Sequence, residues 1–465
     1  MKRNIINSFA GLIMLLLTAG CVTRKYDRPE LPTDRLFRKE TTDTTSLANL
    51  PWRTLFTDTI LQNLITRGLN RNLDLRIAMQ RMAAAGAAVD QSKAAYLPSL
   101  SAGLTVQRSK ASGAALNLPP GLGIDLGTTT YQAQLSASWE ADLWGKLSSA
   151  KKAALADLLR SEASKNAIQT QLISAIAGCY YSLLALDKQL QITQQTISSR
   201  VKEVETMKEL KEGNIVNGAA VVQSEANRYA AEVSVPDIRQ QIRQYENALS
   251  ILLADPPGTI TRGTLETQSI DSSLHTGLPA QLLANRPDVQ AAEYAYRSSF
   301  ENTNLARTYF YPSLTITAQG GLSTLKVTDF FNGAVFYNLI GGLTQPIFSK
   351  GVNRARLKIA QATQEETRLR YQQSLLNAGQ EVADYLFAYE AATTKAVIRK
   401  EQVQSLGLSV SYTRELLRYS SSTNYTDVLT SEQSLLAAQL SGINDRLQQL
   451  QAVVGLYRAL GGGTK

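Results

Sequence analysis

From Tyr131 to Trp139 the chain alternates without a break, Tyr131, Ala133, Leu135, Ala137 and Trp139 against Gln132, Gln134, Ser136 and Ser138. A period of two places these two sets on opposite faces of a strand. Leu314, Ile316 and Ala318 alternate in the same way with Thr315, Thr317 and Gln319, and Leu100–Gln107 and Phe336–Gln345 are looser versions. Four strands are predicted, each with one apolar face and one uncharged polar face. Elsewhere the period is helical. From Leu147 to Lys211 the chain is rich in Ala, Leu, Gln, Lys and Glu and has no Pro, and a helix of that extent reaches roughly 100 Å. Leu183, Leu186, Leu190, Ile197, Val201 and Val204 step by three, four and seven, as do Val403, Leu406, Val410 and Leu417. Such spacing predicts heptad-like seams against neighbouring helices. The small residues of MAAAGAAV, from Met82 to Val89, allow close helix approach.

The pattern occurs twice. Laying Pro98 on Pro312 also brings Asp74 onto Asp288, Leu75 onto Val289 and Ala78 onto Ala292. A second gapless register places Asn217 on Asn424, Val222 on Leu429, Glu225 on Glu432, Leu249 on Leu456 and Leu253 on Leu460. Each half therefore reads helix, strand, loop, strand, long helix, turn, helix. Within YLPSL and FYPSL, Pro98 and Pro312 deny a helix its donor and bias the preceding residue toward extended geometry. Both mark a helix-to-strand boundary.

Composition narrows the function. Hydrophobic residues are 44% and charged residues 19% of 465, ordinary for a folded chain. The net charge of +9 comes from basic residues interspersed with acids and glutamines, a solvated pattern that speaks against a nucleic-acid partner. One histidine, His275, sits in a polar connector, and no P-loop, GxSxG or metal-ligand spacing occurs. No enzyme, metal site or cofactor is expected. Cys179, in AIAGCYY, reads as a structural thiol. Cys21 ends the run MKRNIINSFAGLIMLLLTAGC, with two cations, an apolar core and small residues, the form of a secretory signal too short to span a bilayer as a mature anchor.

Four strands of about ten residues are long enough to cross an outer membrane when tilted, but a closed barrel needs at least about eight. Two arrangements remain open on alternation alone: a soluble sheet with one wet face, or three chains closing a twelve-stranded barrel with apolar side chains toward lipid. The signal sequence and the long helices favour the barrel.

Leu17-Thr18-Ala19-Gly20-Cys21 resembles a bacterial lipobox, which makes Cys21 the lipidated first residue of the mature protein, and Val22 gives no signal for retention at the inner membrane. Beside it stand Tyr26, Pro29 and Pro32; Leu55-Phe56-Thr57-Asp58; Asn72-Leu73-Asp74-Leu75; Trp139-Glu140-Ala141-Asp142-Leu143-Trp144-Gly145-Lys146; Asn285-Arg286-Pro287-Asp288-Val289; Gln345-Pro346-Ile347-Phe348; and the ending Leu456 to Gly463. In this order they resemble the TolC-type outer membrane efflux proteins, in the lipoprotein branch that serves resistance-nodulation-division pumps. The resemblance implies a mostly α fold with a small β part. It implies a homotrimer whose β-barrel sits in outer membrane lipid and continues as a long periplasmic α-helical barrel. A periplasmic adaptor and an inner-membrane pump are the implied partners, and an N-terminal lipid on Cys21 the only covalent group.

On that plan the turns Gly213–Gly218 and Ser420–Tyr425 are periplasmic tips, and the resemblance makes Arg418, Tyr419, Asn424, Tyr425 and Asp427 candidates for a gate, each with a plain turn or capping role as the alternative. Ser420 to Asn424 carries no Asp where relatives have one, so closure through Tyr and Asn is expected rather than an acidic ring. Trp139 and Trp144 flank a strand-to-helix change and read either as a membrane-interface girdle or as packing in that elbow; Phe330, Phe331, Phe336 and Tyr337 are candidates for the outer side. Arg286-Pro287-Asp288 reads as a helix start. The expected boundaries are a signal peptide over 1–20, a lipidated extended segment over 21–50, and two repeats over 51–265 and 266–465. The expected function is a passive efflux duct; a type I protein-secretion duct or a lipid-anchored coiled-coil scaffold without a pore are the alternatives.

Overall fold

A computed structural model describes residues 23–31, 36–37, 45–113, 115, 125–269, 276–277, 279–419 and 425–464, apart from the side chains of Ala280 and Arg418. Cys21, His275 and Asn424 lie outside the described residues. In chain order the main elements are α1 (Thr59–Arg71), α2 (Leu73–Ala94), β1 (Ser99–Lys110), β2 (Gly127–Ala141), α3 (Lys146–Glu212) and α4 (Gly218–Leu252). They are followed by α5 (Pro287–Thr308), β3 (Ser313–Thr324), β4 (Val335–Thr344), α6 (Val352–Tyr419) and α7 (Tyr425–Ala459). Pro98 and Pro312 each stand immediately before a strand, as their chemistry predicts. No helix among the described residues is long and apolar enough to cross a membrane.

The described residues form two compact units. The first takes those up to Pro29 together with 83–160 and 293–369 and holds the sheet. Its strands lie in the order β1-β2-β3-β4, every pair antiparallel. The register aligns the faces. Leu100 lies opposite Ala137, Leu104 opposite Ala133, Trp139 opposite Ile316, and Leu314 opposite Leu343. On the other face Thr105 meets Gln132, Ser136 meets Gln319 and Gln319 meets Asn338. Glu140, opposite Thr315, is the single charged residue on that polar face within the paired strands. All four strands fall where predicted, but β1, β2 and β3 extend further. β3 passes through Gly320 and Gly321, and a Cβ at Gly321 would collide with the Ala133 carbonyl of β2, so this glycine permits close backbone approach rather than ending the strand. Phe336 and Tyr337 belong to β4 itself.

In the same unit the segment 23–29 lies along α5. Tyr26 meets the Phe300 ring edge-on at 5.5 Å, and Arg28 pairs with Glu293 at 2.5 Å. The Arg24 backbone exchanges two hydrogen bonds with the Asn304 side chain, its N–H donating at 3.0 Å and its carbonyl accepting at 2.9 Å.

The second unit takes 30–82, 161–292 and 370–465. Its core joins Ile173, Ile176, Tyr180, Leu183 and Leu184 of α3 to Leu61 and Ile65 of α1, Tyr371, Leu375 and Val382 of α6, and Leu450, Val454 and Tyr457 of α7. Leu183, Leu186, Val204 and Val410 of the predicted seams are buried. Cys179 is half-buried against this core, and burial pushes its thiol up. The helix start at Pro287 is as expected: Arg286, 5% exposed, forks onto Asp288 at 2.8 Å, reaches Glu381 at 2.8 Å, and donates to the Ala459 carbonyl at 3.0 Å. Asp58 caps α1, accepting from the Ile60 and Leu61 N–H groups, and also accepts from the Tyr180 hydroxyl at 2.6 Å and the Gln268 amide at 2.9 Å.

Candidate functional site

Two places concentrate the candidate residues: the elbow where strands become helices, and the helical tips. At the elbow both tryptophans act on the proline breaks. Trp139 donates its indole N–H to the Tyr96 carbonyl at 2.9 Å, and Trp144 donates to the Pro312 carbonyl at 2.7 Å while lying 5.1 Å from the Tyr311 ring. These bonds satisfy carbonyls that a helix end next to Pro leaves free. Asp142 then accepts from the Leu147 and Ser148 N–H groups and starts α3. Lys146 neutralises Glu140 at 2.8 Å, and the Tyr309 ring takes the Lys146 ammonium and the Arg356 guanidinium at 5.5 and 3.9 Å. Gly145 adopts φ 75°, and Thr23 sits 3.1 Å from where its Cβ would be.

At the tips, α3 turns into α4 through Asn214 at φ 58°, a left-handed residue that Asn tolerates, and Asn217 caps α4 by accepting from the Ala220 N–H at 3.1 Å. Met207 and Val221 of this hairpin pack on Tyr425 and Leu429 of the hairpin formed by α6 and α7. Each hairpin carries an ion pair between its helices: Glu225 pairs with Lys208 at 2.9 Å, and Glu432 pairs with Arg414 at 2.5 Å.

The sequence candidates divide. Tyr419, at the end of α6, is 82% exposed, and Asp427 stands in the first turn of α7. Tyr425 is instead buried between the hairpins. Arg418 contributes only its backbone to the described residues. Around Tyr425 the structure adds residues the sequence did not single out: Arg200 and Glu203 of α3, Asn227 of α4, and Glu432 of α7. Burial, and then the facing Glu432 carboxylate, push Glu203 up to about 7, against weaker opposing effects of Tyr425 and Arg414. Burial and the charge of Glu203 likewise raise the Tyr425 phenol.

The profile of the family described as outer membrane efflux protein matches residues 64–255 and 278–462, well over half of the chain. The chain belongs to this family. As an outer membrane efflux protein it is 30% identical over 419 residues to the toluene efflux pump outer membrane protein TtgF of Pseudomonas putida, covering 90% of this chain and 86% of that one. It is 28% identical over 462 residues to the cation efflux system protein CusC of Escherichia coli K12, covering 97% and 98%. It is 28% identical over 458 residues to the probable outer membrane lipoprotein SilC of Salmonella typhimurium, covering 97% of each. A crystal structure of CusC, described in terms of transmembrane channel formation, superposes with a TM-score of 0.86 at 26% identity over 95% of this chain and 99% of that one. The outer membrane efflux protein described here thus has the mostly helical fold with a small antiparallel sheet of such channels. Its role is that of an outer membrane efflux channel, extending into the periplasm.

Proposed function

We propose that three copies close one duct, with the sheet as the wall of a twelve-stranded barrel in the outer membrane, and that it passes small toxic compounds outward. The observation that carries this is the open sheet. Its edge strands β1 and β4 pair on one side only, and Leu100, Leu104 and Val106 of β1 and Tyr337, Leu339 and Leu343 of β4 are all exposed. Such edges invite pairing. With four alternating strands, β4 runs antiparallel to β1, so β4 of one copy continues the ladder onto β1 of the next. The polar face then lines a wet lumen, and the apolar face meets lipid.

The remaining assignments belong to the same proposal. Residues 1–20 are removed, Cys21 carries a lipid, residues 21–50 form the leash, and 51–265 and 266–465 are the two repeats. The seat of Thr23 against Gly145, beside the strand ends, favours the lipid because it holds the chain two residues from Cys21 near the membrane side of the fold. SilC is itself called a lipoprotein. Trp139 and Trp144 serve both the elbow and the membrane interface, where an indole N–H and an apolar ring are each satisfied. Tyr419, Asn424, Tyr425, Asp427 and Arg418 close the resting tip, and a periplasmic adaptor and an inner-membrane pump engage it. Transport is passive, with no catalytic step and no cofactor; TtgF is named for toluene and CusC for cations.

Planar-bilayer recording on the purified full-length protein tests the duct. Discrete conductance that increases when the tips are truncated is expected; a trimer that never conducts, even so truncated, sinks the proposal. Deletion in the native cell separates cargo classes: accumulation of dyes, solvents or drugs is expected, and loss of a secreted polypeptide would instead identify a protein-secretion duct.

A further inference from the structure

Buried polar atoms lacking a hydrogen bond gather beneath the tips. Among the described residues, Arg200 Nε, Glu203 Oε1, Asn227 Nδ2 and the Tyr425 hydroxyl are all buried and meet no partner in good geometry. Arg200, Asn227 and Tyr425 are only 5, 8 and 7% exposed. A buried, unmatched polar group is costly, so a concentration of them in one place marks a site with a role beyond packing. The cluster straddles the two hairpins of one protomer, with Arg200 and Glu203 on α3, Asn227 on α4, Arg414 on α6, and Tyr425 and Glu432 on α7.

The charges do not balance there. Glu203 lines the same groove as Arg414, the partner of Glu432, so the two carboxyl groups face each other across the hairpins, and burial together with the Glu432 charge favours a proton on Glu203. Arg414 is committed to Glu432 through two nitrogens, at 2.8 and 2.5 Å. Arg200 directs Nη1 to the Asn227 carbonyl, and Lys202 stands beside Glu203 on the wall of the groove between α3 and α6. Arg228 of α4 is drawn to Glu232 and the Tyr229 ring. Glu203 is thus left without a cation of its own.

We infer that Glu203 and Glu432 form a proton-binding site, in which one shared proton latches the two hairpins of a protomer together and its loss lets them part. The inference rests on reading the protein as a gated duct. The ligand is a proton, bound as O–H on one carboxyl and accepted by the other, and released to water with no other bond changed. Tyr425 completes the site from the start of α7. Proton binding is tighter in the latched form, so acid favours the latch and rising pH favours separation. With Glu203 at about 7 when latched and at the ordinary 4.5 once hydrated, linkage expects the parted population to grow about tenfold between about pH 6 and pH 8.

Two measurements on the full-length protein in detergent or bilayers decide this. Infrared titration should show a carboxylic-acid band lost between about pH 6 and pH 8 in the parent and already missing from E203Q. Bilayer recording should show open probability rising about tenfold over that range in the parent and flat, low values in E203Q, whose amide keeps a donor toward Glu432 at every pH. Retention of the trimer by E203Q shows that folding is intact. No titrating band, or a band that E203Q leaves in place, overturns the proton site. A band with pH-independent opening overturns the latch. Absence of conductance in the parent and in a tip-truncated form counts against the duct alone, because the infrared result still decides the site.

Discussion

Trp144 donates its indole N–H to the carbonyl of Pro312, 2.7 Å away, tying the turn that leads into α3 to the residue just before β3. Trp139 does the same for Tyr96 at the other break. Each indole thus serves one of the two proline breaks and holds a backbone carbonyl outside a helix. Replacing Trp144 with Phe keeps the ring against Tyr311 but strands the Pro312 carbonyl, at a cost of about 1–3 kcal/mol. The expected result is a lower melting temperature of the assembled protein and faster proteolysis near 309–313 in W144F. W139F should follow in the same direction with a smaller change, since Trp139 is 37% exposed. Equal, negligible effects would show that the indole bonds contribute nothing.

Arg286 is a buried cation held by Asp288, Glu381 and the Ala459 carbonyl. It joins the start of α5 to α6 and to the end of α7. Substituting Ala leaves Glu381 and a carbonyl facing a void and is expected to cost about 3–5 kcal/mol. Lys would keep the charge but not the fork, so R286K should fall between parent and R286A. Denaturant unfolding of the purified variants reads the order directly.

How much of this was visible beforehand varies by element. Strict alternation from Tyr131 to Trp139 made β2 legible, yet its first residues, Thr128, Thr129 and Thr130, show no alternation and were missed. In β3 the alternation runs only from Leu314 to Gln319, because Gly320 and Gly321 have no side chains to continue it, and Gly321 is there to clear the Ala133 backbone. Tyr425 was legible at the tip through its place in a turn. Its partners were not. Glu203 and Glu432 lie on different hairpins, and a glutamate on a long polar helix is normally a solvated one, so only tertiary structure sets them face to face.

Gly461 sits at φ 91°, and a Cβ there would meet the backbone of Asn285. Both the conformation and the space exclude a side chain. G461A is expected to cost more than the roughly 1 kcal/mol of an ordinary left-handed position, and to push away the backbone at Asn285 and Arg286. Thermal unfolding of G461A beside the control G333A, where φ is 72° but nothing lies within 4 Å, separates the steric part from the backbone part.

Acid stability offers the last test. Burial would raise Asp58, but hydrogen bonds from Tyr180, Gln268 and the Ile60 and Leu61 N–H groups outweigh it and hold the carboxyl below its usual 3.8. A depressed carboxylate contributes stability that is fully present above its unfolded value and is lost as pH falls through its folded one. The α1 cap should therefore hold at neutral pH and weaken below about pH 4. D58N keeps an acceptor for the cap but removes the charge that Tyr180 donates to, so it should be less stable than the parent at pH 7 and approach it in acid. Urea midpoints measured at neutral and acidic pH for both proteins give the comparison, and a gap between them that persists unchanged into acid would show that the charge of Asp58 is not what holds α1 against α3.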